Sequence, residues 1–270
     1  MTALTPPAPP PPPKSPQPAP DPRPLHARVA ADLRDEIMSG ELAPGSALPS
    51  TNRLKERFGA SSATVQKALA LLKAEGLVVG RAGSAVTVRG TRRHTVRPAG
   101  SLEPAAPGTP FPWLAGAAGR ARARAARSTL LGVGRTRVSG DVAAALNIAE
   151  GGDAVLRRQL ISVDDEPAEL VCSYYPVEIA EGTPLAEPRR IRGGTPTLLS
   201  SLGHPPRLSV DRVSARTATQ EQYAALRLPG ELPVLRTLRT VYEEDGTPVE
   251  VTVMVKAGHL YELQYEFGPE

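Results

Sequence analysis

The sequence predicts an α+β protein in two modules, three helices closed by a β-hairpin and then a domain around a mostly antiparallel sheet. Three observations carry this reading. Apolar residues recur at helical spacing between residues 25 and 75, then give way beyond about residue 128 to alternating β-branched runs. Charge divides along the same line: residues 1–100 hold 14 Lys and Arg against 7 Asp and Glu, and residues 128–270 hold 14 against 20. Prolines bracket the first module, with twelve of the 30 inside Pro6–Pro24 and five more at Pro98, Pro104, Pro107, Pro110 and Pro112, ahead of Arg120, Arg122, Arg124 and Arg127. The 270 residues therefore divide into a solvated tail (1–22), a basic domain (23–90), a linker (91–127) and an acidic domain (128–270).

Composition excludes several classes. The single cysteine, Cys172, rules out an internal disulfide framework and any all-cysteine metal site. The apolar runs are too short and too interrupted by charge to span a bilayer, and the proline-rich N-terminus lacks the pattern of a secretion signal, so a cytoplasmic protein is expected. His26, His94, His204 and His259 show no metal-ligand spacing, and Gly80-Arg81-Ala82-Gly83 leads into a strand rather than a helix, unlike a phosphate loop. No catalytic residue, metal or cofactor is expected.

In the basic domain Leu25, Val29, Leu33 and Ile37 recur every four residues, a helix that Gly40 closes and Pro44-Gly45 turns. Ser50 is a natural N-cap for a short helix burying Leu54 and Phe58. After Gly59-Ala60, Ser61 caps a third helix whose core face is Val65, Ala68, Leu69 and Leu72; Gly76 stops it. Two short runs, Leu77–Val79 and Ala85–Val88, flank a small cationic tip and complete a winged helix-turn-helix.

Such a unit places its third helix in the DNA major groove and its wing along the backbone. The opposite face of that helix carries Ser62, Ala63, Gln66, Lys67 and Lys73. Candidate DNA contacts are Ser50, Asn52, Arg53, Ser61, Ser62, Thr64, Gln66, Lys67, Arg81 and Gly83, with Lys55 and Arg57 as further phosphate partners. Gln66 is the candidate base reader, its amide suiting adenine.

Leu48-Pro49-Ser50, Leu54, Phe58-Gly59, Ser61, Thr64-Val65, Ala68-Leu69, Leu72 and Glu75-Gly76-Leu77 resemble the GntR family of bacterial transcription regulators over residues 24–89. The resemblance implies a dimer on a pseudo-palindromic operator. Thr51-Asn52, Ser62 and Gln66 stand where the family usually has Glu-Arg, Arg and Arg, so the family's operator preference does not carry over. The tail is expected to be dispensable for operator binding, having few apolar residues to dock and few charges.

The acidic domain reads as strands at Leu130–Val138, Ala154–Val163, Ala168–Tyr175, Leu208–Thr217, Val234–Glu243, Val249–Lys256 and Tyr261–Phe267. Short helices fall at Asp141–Ile148, Thr197–Leu202 and Glu221–Leu226. Glu166-Pro167, Ser173-Tyr174-Tyr175-Pro176, Gly182-Thr183-Pro184-Leu185 and Gly246-Thr247-Pro248-Val249-Glu250 resemble the UTRA effector domain of HutC-type GntR regulators, of chorismate-lyase-like fold. The resemblance implies a small-molecule effector, and the function expected is a dimeric repressor that the effector releases from its operator. A DNA-tethered lyase-like enzyme, or a constitutive DNA-binding protein whose second domain only dimerises, are the alternatives.

Period-2 alternation puts Arg157, Gln159 and Ile161 on one strand face, and Val171, Ser173 and Tyr175 together on the next. Arg157, Gln159, Val171, Ser173, Tyr175 and Glu250 are the candidate effector residues. In relatives that sense amino-sugar phosphates, an Arg-x-Arg and a glutamate hold the ligand; Gln159, Ile161 and Val171 stand there instead, which predicts a more apolar or neutral ligand.

Overall fold

A computed structural model describes residues 21–80, 85–90, 94–98, 126–138, 140–163, 165–191 and 193–267. The tail through residue 20, the wing tip at 81–84 and the linker residues 99–125 lie outside it. The head consists of α1 (Leu25–Ser39), α2 (Thr51–Phe58), α3 (Ser62–Ala74) and a two-stranded antiparallel hairpin, β1 (Val78–Val79) with β2 (Thr87–Val88). Its core is Val29, Leu33, Leu54, Val65, Ala68, Leu69 and Leu72, the residues that helical spacing selects. Ser50 Oγ accepts from Arg53 N and Ser61 Oγ from Thr64 N, at 3.4 and 3.2 Å, so both serines cap as their sequence positions require. Gly59 and Gly76, at φ +57° and +69°, end α2 and α3 in the left-handed region open to glycine. Arg34 clamps Glu75 at 2.5 and 2.9 Å, tying α1 to the end of α3.

The second domain is a six-stranded antiparallel sheet, ordered β4 (Ala126–Arg137), β5 (Asp153–Val163), β6 (Glu166–Pro176), β9 (Pro248–Ala257), β8 (Val234–Tyr242) and β7 (Leu208–Arg216). Each run of alternating apolar residues became a strand because alternation lets one face bury while the other meets polar neighbours. One face is covered by α4 (Gly140–Leu146), through Val142, Ala143 and Leu146, and by Leu226 and Leu228 after α7 (Gln220–Ala225). Charge fastens these covers: Asp141 pairs with Arg236 at 2.8 Å, and Glu221 pairs with Arg158. The other face is covered at one end by α5 (Val177–Ala180), a 3₁₀ turn (Pro184–Ala186) and α6 (Gly194–Ser201), which bury Ile179, Leu185 and Leu199 against Val155 and Tyr175.

Two features depart from the sequence reading. The expected strand Tyr261–Phe267 shortens to β10 (Tyr261–Leu263) and lies outside the six-stranded sheet. Its partner is β3 (His94–Val96), inside the stretch read as linker, and the pair runs parallel. The two segments lie so far apart in sequence that no local pattern could match them.

Candidate DNA-binding and effector sites

The head presents the exposed side of α3. Ser62, Gln66, Lys67 and Lys73 are exposed there, opposite the buried Val65, Ala68, Leu69 and Leu72. Thr64 is half-buried, its Oγ1 held 2.9 Å from Ser61 Oγ. Ser50, Asn52 and Arg53 are exposed at the start of α2. A winged helix-turn-helix therefore offers one polar surface, with small residues where a groove would come close and cations at its border. Arg81 and Gly83, the wing candidates, lie outside the described residues. Arg57, named above as a further phosphate partner, pairs with Glu36 on α1 and lies 4.7 Å over the Phe58 ring of its own helix.

The second site is the sheet face opposite α4. Strand register aligns Arg157 with Ser173 and Ser173 with Thr252, and Gln159 with Val171 and Val171 with Met254. All six effector candidates thus share this face. Four of them, Arg157, Ser173, Tyr175 and Glu250, are buried. Tyr175 donates its hydroxyl to Glu250 Oε1 at 3.0 Å, Thr252 Oγ1 donates to the same oxygen at 2.7 Å, and Ser173 Oγ lies 2.8 Å from Thr252 Oγ1. Burial pushes the Tyr175 phenol well above its ordinary value, and the neighbouring Glu250 charge adds to the rise, so Tyr175 stays a neutral donor. Gln159 accepts from Ser128 at 2.7 Å, and Val171 is half-buried beside it.

Arg157, one of the effector candidates, gives most of its donors to the backbone. Its Nη1 donates to the carbonyls of Leu185 and Glu187 at 2.8 Å and of Pro184 at 3.3 Å, and its Nη2 to that of Arg189 at 2.7 Å. It is 2% exposed and holds the 3₁₀ turn against the sheet. Burial draws its guanidinium below the ordinary arginine value, an effect that Tyr175 partly opposes. Its neighbour Arg158 faces the other side of the sheet and meets Glu221.

Sequence reasoning missed part of this face. Thr252 and Lys256 share it with Glu250, and period-2 counting from Glu250 reaches both. Arg239 and Asp211 also lie on it, joined by two hydrogen bonds at 2.6 and 2.7 Å. Glu169 and Lys256 form a buried ion pair there. Among the described residues, no cluster of His, Cys, Asp and Glu could hold a metal ion, and no helix is long and apolar enough to cross a membrane.

Comparison with known proteins matches both domains. Residues 121–262 match the UTRA domain, and residues 25–88 match the bacterial regulatory proteins of the gntR family. An HTH-type transcriptional regulator of Streptomyces coelicolor is 31% identical over 90% of this chain and 93% of its own. The HTH-type transcriptional regulator GgaR of Escherichia coli is 24% identical over 88% of this chain and 89% of its own. Among solved structures, a GntR-family transcriptional regulator aligns over 92% of this chain and 99% of its own, with TM-score 0.63 and 27% identity. PhnF from Mycobacterium smegmatis shares the fold at TM-score 0.52 over 90% of this chain and all of its own, with 17% identity. With a DNA-binding head and an effector domain behind it, the chain belongs to the GntR family of transcriptional regulators, in the group that carries a UTRA domain.

Proposed function

We propose that the chain is a dimeric cytoplasmic repressor that leaves its operator when a small molecule occupies the polar face of the sheet. The observation that carries this reading is the route between the two sites. β9 bears Glu250 and Thr252, turns at Gly258-His259 into β10, and β10 pairs with β3, a few residues beyond the wing strand β2. A ligand that shifts β9 therefore acts on the strand that anchors the head. Dimerisation is supported by β7, the last strand of the sheet, which keeps Leu208, Val210 and Val213 exposed, an apolar edge suited to a second copy.

In this reading Gln66 reads a base edge, Ser62 and Thr64 let α3 approach the groove, and Ser50, Asn52, Arg53, Ser61, Lys67, Arg81 and Gly83 meet phosphates or line the groove. Arg157, Gln159, Val171, Ser173, Tyr175 and Glu250 form the effector surface, and Arg157 also holds the turn beside it.

The test is sedimentation of the full chain with a labelled fragment of its own promoter region, with and without extracts of small metabolites. A dimer that binds the fragment and is released by a metabolite fraction is expected. Binding as a monomer, or binding that no fraction changes, would overturn the reading.

A further inference from the structure

The polar face of the sheet closes its charges in sets. Arg239 holds Asp211 through two hydrogen bonds, and Lys256 holds Glu169. Arg157 and Glu250 remain, one cation and one anion. Arg157 gives its Nη atoms to the carbonyls of Pro184, Leu185, Glu187 and Arg189, and Glu250 Oε1 accepts from Tyr175 and Thr252. These six groups, Arg157, Arg239, Lys256, Glu169, Asp211 and Glu250, sum to no net charge.

Two hydrogen-bonding atoms are left over. Arg157 Nε is buried and has no partner, although the residue is only 2% exposed. Among the described residues, Glu250 Oε2 receives no hydrogen bond either; those that reach this carboxylate fall on Oε1. A buried guanidinium N–H without an acceptor is costly. Between the strands of these two residues stand the hydroxyls of Ser173 and Thr252, which can turn to give or to accept.

We infer that the effector is an uncharged, hydroxyl-rich molecule, a free sugar or polyol, that accepts a hydrogen bond from Arg157 Nε–H and donates hydroxyl hydrogens to Glu250. The inference rests on the effector reading of this face given above. A phosphate ester would bring about two negative charges beside Glu250, where Arg239 and Lys256 already hold carboxylates and Arg157 keeps a single free N–H. A purely apolar ligand would bury Arg157 Nε and Glu250 Oε2 with neither satisfied. A cationic amine would suit Glu250 but offers Arg157 no acceptor. A polyol supplies the acceptor and the donors together and adds no charge.

Calorimetry on the full chain tests this with three sets of probes. Glucose, N-acetylglucosamine and myo-inositol are uncharged; glucose 6-phosphate, glucosamine 6-phosphate and inorganic phosphate are anionic; glucosamine and ethanolamine are cationic. Binding by an uncharged probe is expected, weakened tenfold or more by Glu250→Gln with the thermal midpoint retained. Glu250→Asp, which keeps the charge but shortens its reach, is expected to weaken binding as well, and covers the case in which Glu250→Gln is poorly folded. Tighter binding by an anionic or a cationic probe overturns the inference, as does no binding by any uncharged probe, or uncharged binding indifferent to both Glu250 variants. Operator release is read separately. An uncharged probe that binds without releasing DNA keeps the ligand class and refutes the release mechanism, so the two fail independently.

Discussion

Tyr175 and Glu250 stand 75 positions apart in the chain and meet on neighbouring strands, the tyrosine hydroxyl donating to Glu250 Oε1 at 3.0 Å. Both are buried, so this bond joins β6 to β9 near one end of the sheet face opposite α4. Tyr175→Phe removes the donor and keeps the ring. We expect a loss of about 1 kcal/mol in unfolding free energy, the ordinary net worth of one hydrogen bond. Urea denaturation of the two proteins checks this, and an unchanged midpoint would show that the bond contributes nothing to folding.

Gln66 is exposed on α3, turned away from the buried Val65, Ala68, Leu69 and Leu72. Gln66→Ala is expected to weaken operator binding by about 1–3 kcal/mol and to leave binding to random DNA nearly unchanged. Fluorescence anisotropy on both DNAs distinguishes the outcomes. Equal losses would make Gln66 a backbone contact.

Lys256 and Glu169 form an ion pair with side chains 5% and 2% exposed. Lys256→Met leaves the Glu169 carboxylate buried without its ammonium partner, at an expected cost of about 3–5 kcal/mol. Replacing Glu169 by Leu in the same chain should recover most of that loss, because an apolar pair of similar volume has no charge to desolvate. Guanidinium melts of the single and double variants give the comparison, and a double variant as weak as the single would refute the account.

His259 is held neutral by burial and by the nearby Arg89, its pKa lowered from 6.5 to about 4. The unfolded chain takes up this proton as pH falls below about 6.5, and the folded chain takes it up only near 4. Between those values the unfolded state binds more protons, so stability falls as pH drops from 6.5 toward 4 and is retained above 6.5. The loss should reach on the order of 2–3 kcal/mol at the acid end. The difference in unfolding free energy between wild type and His259→Phe, followed from pH 7 to 4.5, should therefore shrink on acidification. A difference that stays constant with pH would refute the account.

The head was largely legible because its signals are local. Four-residue spacing selects the core of α1, and Ser50, Ser61, Gly59 and Gly76 mark helix ends by chemistry that acts within one turn. The sheet strands were legible too, since alternation declares a strand without its partners. Boundaries moved most where the environment is tertiary. β4 begins at Ala126 rather than Leu130, because β5 is long enough to pair with it that far. Val177–Ala180 and Pro184–Ala186 form short helical turns that propensity does not announce, and the second is held where Arg157 collects the carbonyls of Pro184 and Leu185.

The sequence by itself determined the two modules, the fold of the head, the exposed face of α3 and the side chains that share each strand face, since these follow from periodicities of two and 3.6 residues. The tertiary structure alone decided which charges are spent. Arg57 goes to Glu36, Arg157 to the 3₁₀ turn, Arg239 to Asp211 and Lys256 to Glu169, and β3 finds β10 across 167 positions. Such pairings depend on strand order and register between distant segments, and on burial, which compels each charge to find a partner; neither is written in the neighbours of a residue along the chain.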